Sequence, residues 1–170
     1  MPTSDRRSFL HLATVGFAVG IVSPRLFAQE RAAEALRPLT GAVTPIGKAE
    51  RADRLARAQA MMQSAGIDAL LIEPGASLVY STGIRWHRSE RLTAAILPAR
   101  GAPLIVCPFF EKPSIDESLA IPADVRVWQD HESPYALIAD YLTAGGLAKG
   151  RIGIEETVRY FAVDGLKAAL

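Results

Sequence analysis

Residues 92–106 read LTAAILPARGAPLIV and contain two apolar runs, 92–97 and 104–106, separated by a segment rich in proline and glycine. Apolar runs of this length, bounded by turn-forming residues, predict β-strands. Because the connection is short, we expect the two strands to form an antiparallel hairpin. Any sheet that contains this hairpin together with parallel strands is a mixed sheet.

The segment before the hairpin predicts a helix that leads into a buried strand. Thr44-Pro45 supplies a favourable N-cap and first helical residue, and an apolar stripe at helical spacing then runs to Gly66. The stripe consists of Leu55, Ala58, Met62 and Ala65. Residues 69–72, ALLI, form a continuous apolar run closed by EPG, which is typical of a strand buried on both faces.

The segment after the hairpin continues the alternation of strands and helices. Residues 125–128 alternate with period two, which predicts a strand. Ser133-Pro134 begins a predicted helix that Gly145-Gly146 ends. A short strand is then predicted at 152–154 and a last helix at 158–170. The fold class predicted from this order is α/β, with a mixed β-sheet and helices on its faces.

Composition excludes several functional classes. The 170 residues contain 19 Lys and Arg and 18 Asp and Glu, a formal charge of +1, which argues against nucleic acid as a partner. The one cysteine, Cys107, excludes an intramolecular disulfide and a cysteine-based metal site. It ends an apolar strand, so we interpret it as an inert core thiol.

The first 28 residues have the order of an export signal. A basic pair, Arg6-Arg7, precedes an uncharged run at 12–22 and a segment that ends at Ala28. The run is too short for a permanent membrane span, which needs about 20 residues. The arginine pair resembles a twin-arginine signal, and the alternative is a general secretory signal. Both predict a periplasmic or secreted protein, with residues 29–47 as a linker and 48–170 as the domain.

Residue spacing gives no catalytic constellation. The chain has neither the glycine-rich turn of a dinucleotide fold nor a P-loop. His87 and His131, the histidines that follow the predicted signal, are not spaced as metal-ligand pairs, and Glu155-Glu156 are sequence neighbours that diverge on any element. Ser133 is better explained as a helix cap than as the nucleophile of a triad. We therefore predict no catalytic or metal-binding residue here.

One dense polar and aromatic cluster, residues 80–91, lies between the first strand and the hairpin. Arginines can clamp carboxylates, and tryptophan can cover apolar groups or stack on cations, so the cluster suits contact with a small peptide or a subunit surface. The candidate contact residues are Arg85, Trp86, His87, Arg88 and Arg91. The alternative is a solvated turn with internal Arg–Glu pairs and a half-buried tryptophan.

Several motifs together resemble the N-terminal domain of the aminopeptidase P, prolidase and creatinase family, especially its bacterial Xaa-Pro peptidases. The main ones are LVYSTG at 78–83, WHRSER at 86–91 and LIVCPFFE at 104–111. Further matches lie at 127–128, 132–134, 152–156, 159–161 and 164–166. The resemblance begins near Glu50 and continues to the last residue. His87 departs from the pattern, because a small residue is more usual after this tryptophan.

The resemblance implies a role in the hydrolysis of proline-containing peptides. In that family a C-terminal "pita-bread" domain binds two divalent metals, commonly manganese or cobalt, through two Asp, one His and two Glu residues. Residues 1–170 do not include that domain, so we expect no cofactor in this chain and no activity from it alone. Relatives oligomerise through the N-terminal domain, and a loop from it reaches a neighbouring active site. The resemblance thus implies a homo-oligomer in which Trp86 walls the substrate and Arg88 and Arg91 face a peptide carboxylate.

Three alternatives to this interpretation remain. The chain could be a self-sufficient module that binds peptides or a partner subunit, a purely structural assembly domain, or an inactive gene remnant. The last predicted helix has neither a C-cap glycine nor a following proline, which we interpret as a sign of truncation.

Overall fold

A computed structural model describes residues 40–170, so the predicted export signal and most of the predicted linker, 29–47, lie outside the described residues. Residues 40–47 contain a turn and neither helix nor strand. The elements are α1 (Lys48–Ala65), β1 (Ala69–Ile72), α2 (Ala76–Thr82), β2 (Ala94–Pro98), β3 (Leu104–Pro108), a 3-10 turn (Phe109–Glu111), α3 (Lys112–Ser118), β4 (Asp124–Trp128), α4 (Pro134–Ala144), β5 (Ile152–Ile154) and α5 (Tyr160–Ala169). Within residues 40–170, no helix is long and apolar enough to cross a membrane.

The strands form one five-stranded sheet in the order β4-β3-β2-β1-β5. β2 is antiparallel to both of its neighbours, with Leu71 opposite Ile96 on one side and Ala95 opposite Ile105 on the other. β1 pairs with β5, and β3 with β4, in parallel. The predicted α/β class, the mixed sheet and the antiparallel hairpin of β2 and β3 are confirmed.

Side chains alternate across the sheet and build a separate core on each face. On one face, Leu71, Ile96 and Leu104 pack with the apolar sides of α4 and α5. On the other face, residues of the same strands, such as Ile72 and Ile105, pack with α1, α2 and α3. β1, β2 and β3 are therefore covered by helices on both faces, which explains why their sequences read as continuous apolar runs.

The first helix begins later than the sequence predicts. α1 starts at Lys48 with Gly47 as its N-cap in an extended conformation, so the prediction of Thr44 as N-cap was wrong. Gly47 loses more backbone freedom in a helix than any other residue type and resists incorporation into one. The predicted end is confirmed: Gly66 adopts a left-handed φ of 64°, and the N–H of Ile67 donates to the carbonyl of Met62 at 2.9 Å.

Two helices of seven residues each, α2 and α3, were not predicted. α2 replaces the first part of the segment that the sequence presented as a loop. The guanidinium of buried Arg51 donates to the carbonyls of Val79 at 2.5 Å and Tyr80 at 3.2 Å, and these bonds satisfy the last turn of α2. Gly83 then ends the helix with a φ of 89°.

Candidate functional site

The topology brings the ends of four strands to one rim of the sheet, which we call the carboxyl edge. β1, β3, β4 and β5 run in the same direction, so the segments that follow them meet there. β2 runs in the opposite direction, so the 85–91 loop that leads to it arrives at the same edge. In open α/β sheets this edge is the usual place for a ligand.

The 85–91 loop lies across the carboxyl edge from one side of the sheet to the other. Arg88 and Ser89 contact residues that follow β5, whereas Arg91 contacts residues that follow β3 and β4. The five residues predicted as contacts are therefore brought to one edge by the fold. Arg85, His87 and Arg88 are exposed, and Trp86 and Arg91 are partly buried.

Trp86 joins the loop to the interior. Its ring packs against the core between the sheet and α1–α3, and it stacks on the imidazole of His87 with 5.5 Å between ring centroids and 25° between planes. The core contact and the stacked imidazole fix the ring, and the indole stays partly exposed. The sequence predicted a half-buried tryptophan as one of two alternatives, and the structure shows one.

Arg88 is held by a chain of hydrogen bonds formed mainly by residues that come after β5 in the sequence. Its guanidinium donates to Thr157 Oγ1, and that hydroxyl donates to Glu155 Oε2 at 2.6 Å. Glu155 Oε1 accepts a further bond from Ser77 Oγ at 2.9 Å. The hydrogen bond from the Thr157 side chain is the main cause that holds the pKa of Glu155 below its ordinary value.

The contacts that hold Arg91 lie near β3 and β4, at the other end of the carboxyl edge from those that hold Arg88. Its Nε donates to Asp130 Oδ1 at 3.0 Å, its Nη1 donates to Glu90 Oε1 at 2.6 Å, and its guanidinium lies 5.4 Å from the ring centroid of Phe110. The hydrogen bond with Asp130 raises the pKa of Arg91 above its ordinary value, so the group stays charged. An arginine of this kind is positioned by its own chain and still has N–H donors for a ligand.

Two carboxylates of the carboxyl edge are buried, and the sequence analysis missed both. Glu73 follows β1 and is bound by Arg159, with Nη2 2.7 Å from Oε1. Glu111 follows β3 and accepts a 2.7 Å hydrogen bond from Thr93 Oγ1. A carboxylate within three residues of the end of a buried strand was the available signal, because an unpaired carboxylate there would cost several kcal/mol.

Other features do not add a reactive group to this edge. Cys107 is fully buried, and desolvation raises the pKa of its thiol to about 12, as expected of an inert core cysteine. Within residues 40–170, no group of three His, Cys, Asp or Glu side chains is arranged to hold a metal ion. These residues therefore do not fit the metal site that the family resemblance implies.

Among residues 40–170, the main concavities lie away from the 85–91 loop. One of about 380 Å³ is at the opposite edge of the sheet, beside Asp68, Arg100 and Tyr141. Another of about 390 Å³ lies between α1 and α2 and is mainly apolar, with Leu70 and Tyr80 in its wall. Arg85, His87 and Arg88 of the loop are exposed, so they can add contacts to a ligand that another surface also holds.

Comparison with known proteins agrees with this fold. The sequence profile of the creatinase/prolidase N-terminal domain matches residues 54–170. The chain therefore belongs to this family, as the sequence motifs predicted. The N-terminal domain of an Xaa-Pro dipeptidase from Lactobacillus brevis has the same fold, with a TM-score of 0.63 at 23% identity over 69% of this chain and 87% of that one.

Two similar proteins with higher identity are dipeptidases. The probable dipeptidase PepE of Mycobacterium tuberculosis is 41% identical over 99 residues, which cover 57% of this chain and 26% of that protein. The crystal structure of dipeptidase PepE from Mycobacterium ulcerans matches with 37% identity and a TM-score of 0.63, over 72% of this chain and 33% of that one. The present chain thus spans about a quarter to a third of the length of these relatives.

Proposed function

We propose that this chain is the non-catalytic N-terminal part of an Xaa-Pro peptidase, and that its 85–91 loop shapes the peptide site of a neighbouring catalytic domain. The observation that carries the proposal is the position of the loop. It crosses the carboxyl edge with Trp86, Arg88 and Arg91 already fixed by contacts within the chain. Membership of the creatinase/prolidase family, and the similarity to dipeptidases, supply the substrate class.

In this proposal each side chain of the loop has a separate contact role. Trp86 offers an apolar wall beside the substrate, with His87 stacked on it. Within residues 40–170, Arg88 and Arg91 each use only some of their N–H donors, so further donors can bind a peptide carboxylate. Arg85 is exposed and adds positive charge on the same loop.

The proposal also includes the metal ions that carry out the reaction and the assembly of the chain with further subunits. We propose that two divalent metals, manganese or cobalt, act from protein other than residues 40–170, and that the chain assembles as a homo-oligomer. We further propose export through the signal at residues 1–28. Light scattering of the purified protein tests the assembly, and fractionation of cells that produce a tagged chain tests the export.

A chimaera gives the main test of substrate contact. Residues 48–170 would replace the matching third of the Mycobacterium ulcerans dipeptidase, and hydrolysis of Xaa-Pro dipeptides would be measured with Mn²⁺. We expect Trp86→Ala to raise KM severalfold with little change in kcat, because it removes binding surface and no reacting group. Trp86→Phe is the matched control and should retain most of the affinity. An unchanged KM in Trp86→Ala would contradict the contact role.

Measurements on the isolated chain distinguish this proposal from the alternative that the chain is a stand-alone binding module. Calorimetry with Xaa-Pro dipeptides should show at most weak binding, because the proposed site is completed by a catalytic domain. Tight binding without Mn²⁺-dependent hydrolysis would favour the module, and hydrolysis by the chain alone would show that the non-catalytic assignment is wrong.

A further inference from the structure

Glu73 is a buried carboxylate with one dominant partner. Its side chain has no solvent exposure, and it accepts hydrogen bonds from three N–H groups of Arg159: Nη2 to Oε1 at 2.7 Å, Nε to Oε1 at 3.1 Å, and the backbone N–H to Oε2 at 2.7 Å. The two residues are 86 positions apart and follow neighbouring parallel strands, β1 and β5. A buried charge with this many donors has one favoured geometry, so Glu73 fixes the guanidinium of Arg159.

The same guanidinium also contacts the 85–91 loop. Arg159 Nη1 donates to the carbonyl of Ser89 at 2.6 Å. Ser89 in turn contacts Arg91, because its Oγ accepts from the Arg91 backbone N–H at 3.2 Å. Since the guanidinium is planar and rigid, fixing its edge on Glu73 also fixes where Nη1 points. The middle of the loop is thereby tied to the end of β1.

We propose that Glu73 and Arg159 are positioning residues that hold the 85–91 loop in place across the carboxyl edge. Glu73 binds one side of the guanidinium and Ser89 binds the other, so the pair holds the middle of the loop, between the core contact of Trp86 and the Asp130 contact of Arg91. Neither residue needs to touch a peptide. The inference rests on the proposed function for its meaning in substrate binding, but the ordering of the loop can be measured without it.

Trypsin provides a direct test, because the loop carries three of its cleavage sites, after Arg85, Arg88 and Arg91. The variant is Arg159→Lys, which keeps the positive charge and the number of trypsin sites. An ammonium group cannot hold Glu73 and Ser89 at two separate edges as a guanidinium does. We expect cleavage after the three loop arginines to become about tenfold faster, in line with the loss of one charge-assisted hydrogen bond.

Arg126→Lys is the matched control. Arg126 lies on β4 and pairs with Asp124 at 2.8 Å, so it undergoes the same change of side chain away from the loop. It should leave cleavage in the loop unchanged. Two results would overturn the proposal: an unchanged loop cleavage rate in Arg159→Lys, or an equal acceleration at all sites in the chain, which would indicate global destabilisation.

Backbone order from NMR gives a second readout on the same 170-residue chain. In Arg159→Lys, order parameters for residues 85–91 should fall from about 0.85 to below about 0.6, while those of the strands stay unchanged. Order parameters of the loop that stay at their original level would overturn the proposal.

Kinetics in the chimaera then separate the two proposals. Arg159→Lys should raise KM severalfold with kcat retained, as expected of a residue that positions a binding loop. If Trp86→Ala raises KM but Arg159→Lys does not, the positioning role is wrong and the proposed function stands. If Trp86→Ala has no effect, the proposed function is wrong, and the trypsin and NMR results still decide whether Glu73 and Arg159 order the loop.

Discussion

The indole N–H of Trp128 donates a 3.0 Å hydrogen bond to the backbone carbonyl of Leu92. Trp128 is the last residue of the edge strand β4, and Leu92 is the residue that follows the 85–91 loop. Both are buried. The bond therefore joins the exit of the loop to a strand that is two positions away from β2 in the sheet, and it fixes the point where the loop enters β2.

Trp128→Phe should lower the free energy of unfolding by about 1–3 kcal/mol, because it leaves a buried carbonyl without its donor. Urea denaturation measures the effect. Tyr141→Phe is a matched control: it also removes a donor to a carbonyl, Tyr141 Oη to Ala102 at 2.6 Å, but Ala102 is exposed and water can replace the bond. A loss in Trp128→Phe no larger than that in the control would contradict this role for the indole.

Gly83→Ala should destabilise the chain by about 3 kcal/mol or more. The residue has a φ of 89°, and a Cβ there would lie 2.7 Å from the Cβ of Ala120 and 3.0 Å from the carbonyl oxygen of Ser118. Backbone strain of about 1–3 kcal/mol and a steric clash therefore add. Thermal and urea denaturation measure the loss.

Gly101→Ala separates backbone strain from the steric clash, which are the two contributions to the loss of stability expected in Gly83→Ala. Gly101 has a similar φ of 94°, but within residues 40–170 no atom beyond its two chain neighbours lies within 4 Å of the position of its Cβ. Its substitution should cost only the backbone strain. Equal losses at the two glycines would show that the contact with Ala120 and Ser118 carries no steric penalty.

The pKa of Glu155 should lie below its ordinary value and rise when Thr157 is replaced by Val. The Thr157 side-chain hydrogen bond is the largest cause of the lowering, and the bond from Ser77 is a smaller one. Ser77→Ala should therefore raise the pKa less than Thr157→Val does. NMR titration of the glutamate carboxyl carbon gives these values directly.

The direction of the Glu155 pKa shift determines how the stability of the folded chain changes with pH. A carboxyl whose folded pKa is lowered contributes stability above its unfolded pKa, and that contribution is lost as pH falls through the folded pKa. Glu155 should therefore bind Thr157 at neutral pH, and hold Arg88 through it, and release Thr157 in acid. A Glu155 pKa at or above its ordinary value would contradict this hydrogen-bond arrangement.

Cys107 should make stability fall in alkaline solution. Burial raises the pKa of its thiol from 9.0 to about 12, so the unfolded chain loses the thiol proton at a lower pH than the folded chain. The contribution is complete below the unfolded pKa and is lost as pH rises toward the folded one. The difference in unfolding free energy between wild type and Cys107→Ala should therefore decrease between these two values. A difference that does not change with pH would contradict the shift.

The sequence was sufficient to predict the strands because most of them are covered on both faces. The mainly apolar runs at 69–72, 92–97 and 104–106 correspond to β1, β2 and β3, although β2 begins at Ala94, so Leu92 and Thr93 precede it. The hairpin between the last two followed from the short connection. The helices α2 and α3 were missed because each has seven residues, and two turns of helix carry too few apolar positions to show a period.

The position of the candidate site could be predicted from the sequence, but the contacts that hold its loop could not. The composition of residues 80–91 marked the loop, and the order of the elements placed it between β1 and β2. Its anchors, Arg159 and Thr157, lie about 70 positions further along the chain, at separations of 70 and 69 residues from Ser89 and Arg88. Local periodicity gives no information on pairs so distant, and only the parallel pairing of β1 with β5 brings them together.

β2 alone runs against the rest of the sheet, and this reversal has an evolutionary consequence. The polypeptide between β1 and β2 leaves the sheet and returns to it on one rim, so residues can be added or removed there without altering strand pairing. Exposed positions of that segment, such as Arg85 and His87, can change while the scaffold stays constant, whereas Gly83 and Trp86 are held by the core. Diversification among family members should therefore concentrate here, where it would retune ligand selectivity at little risk to folding.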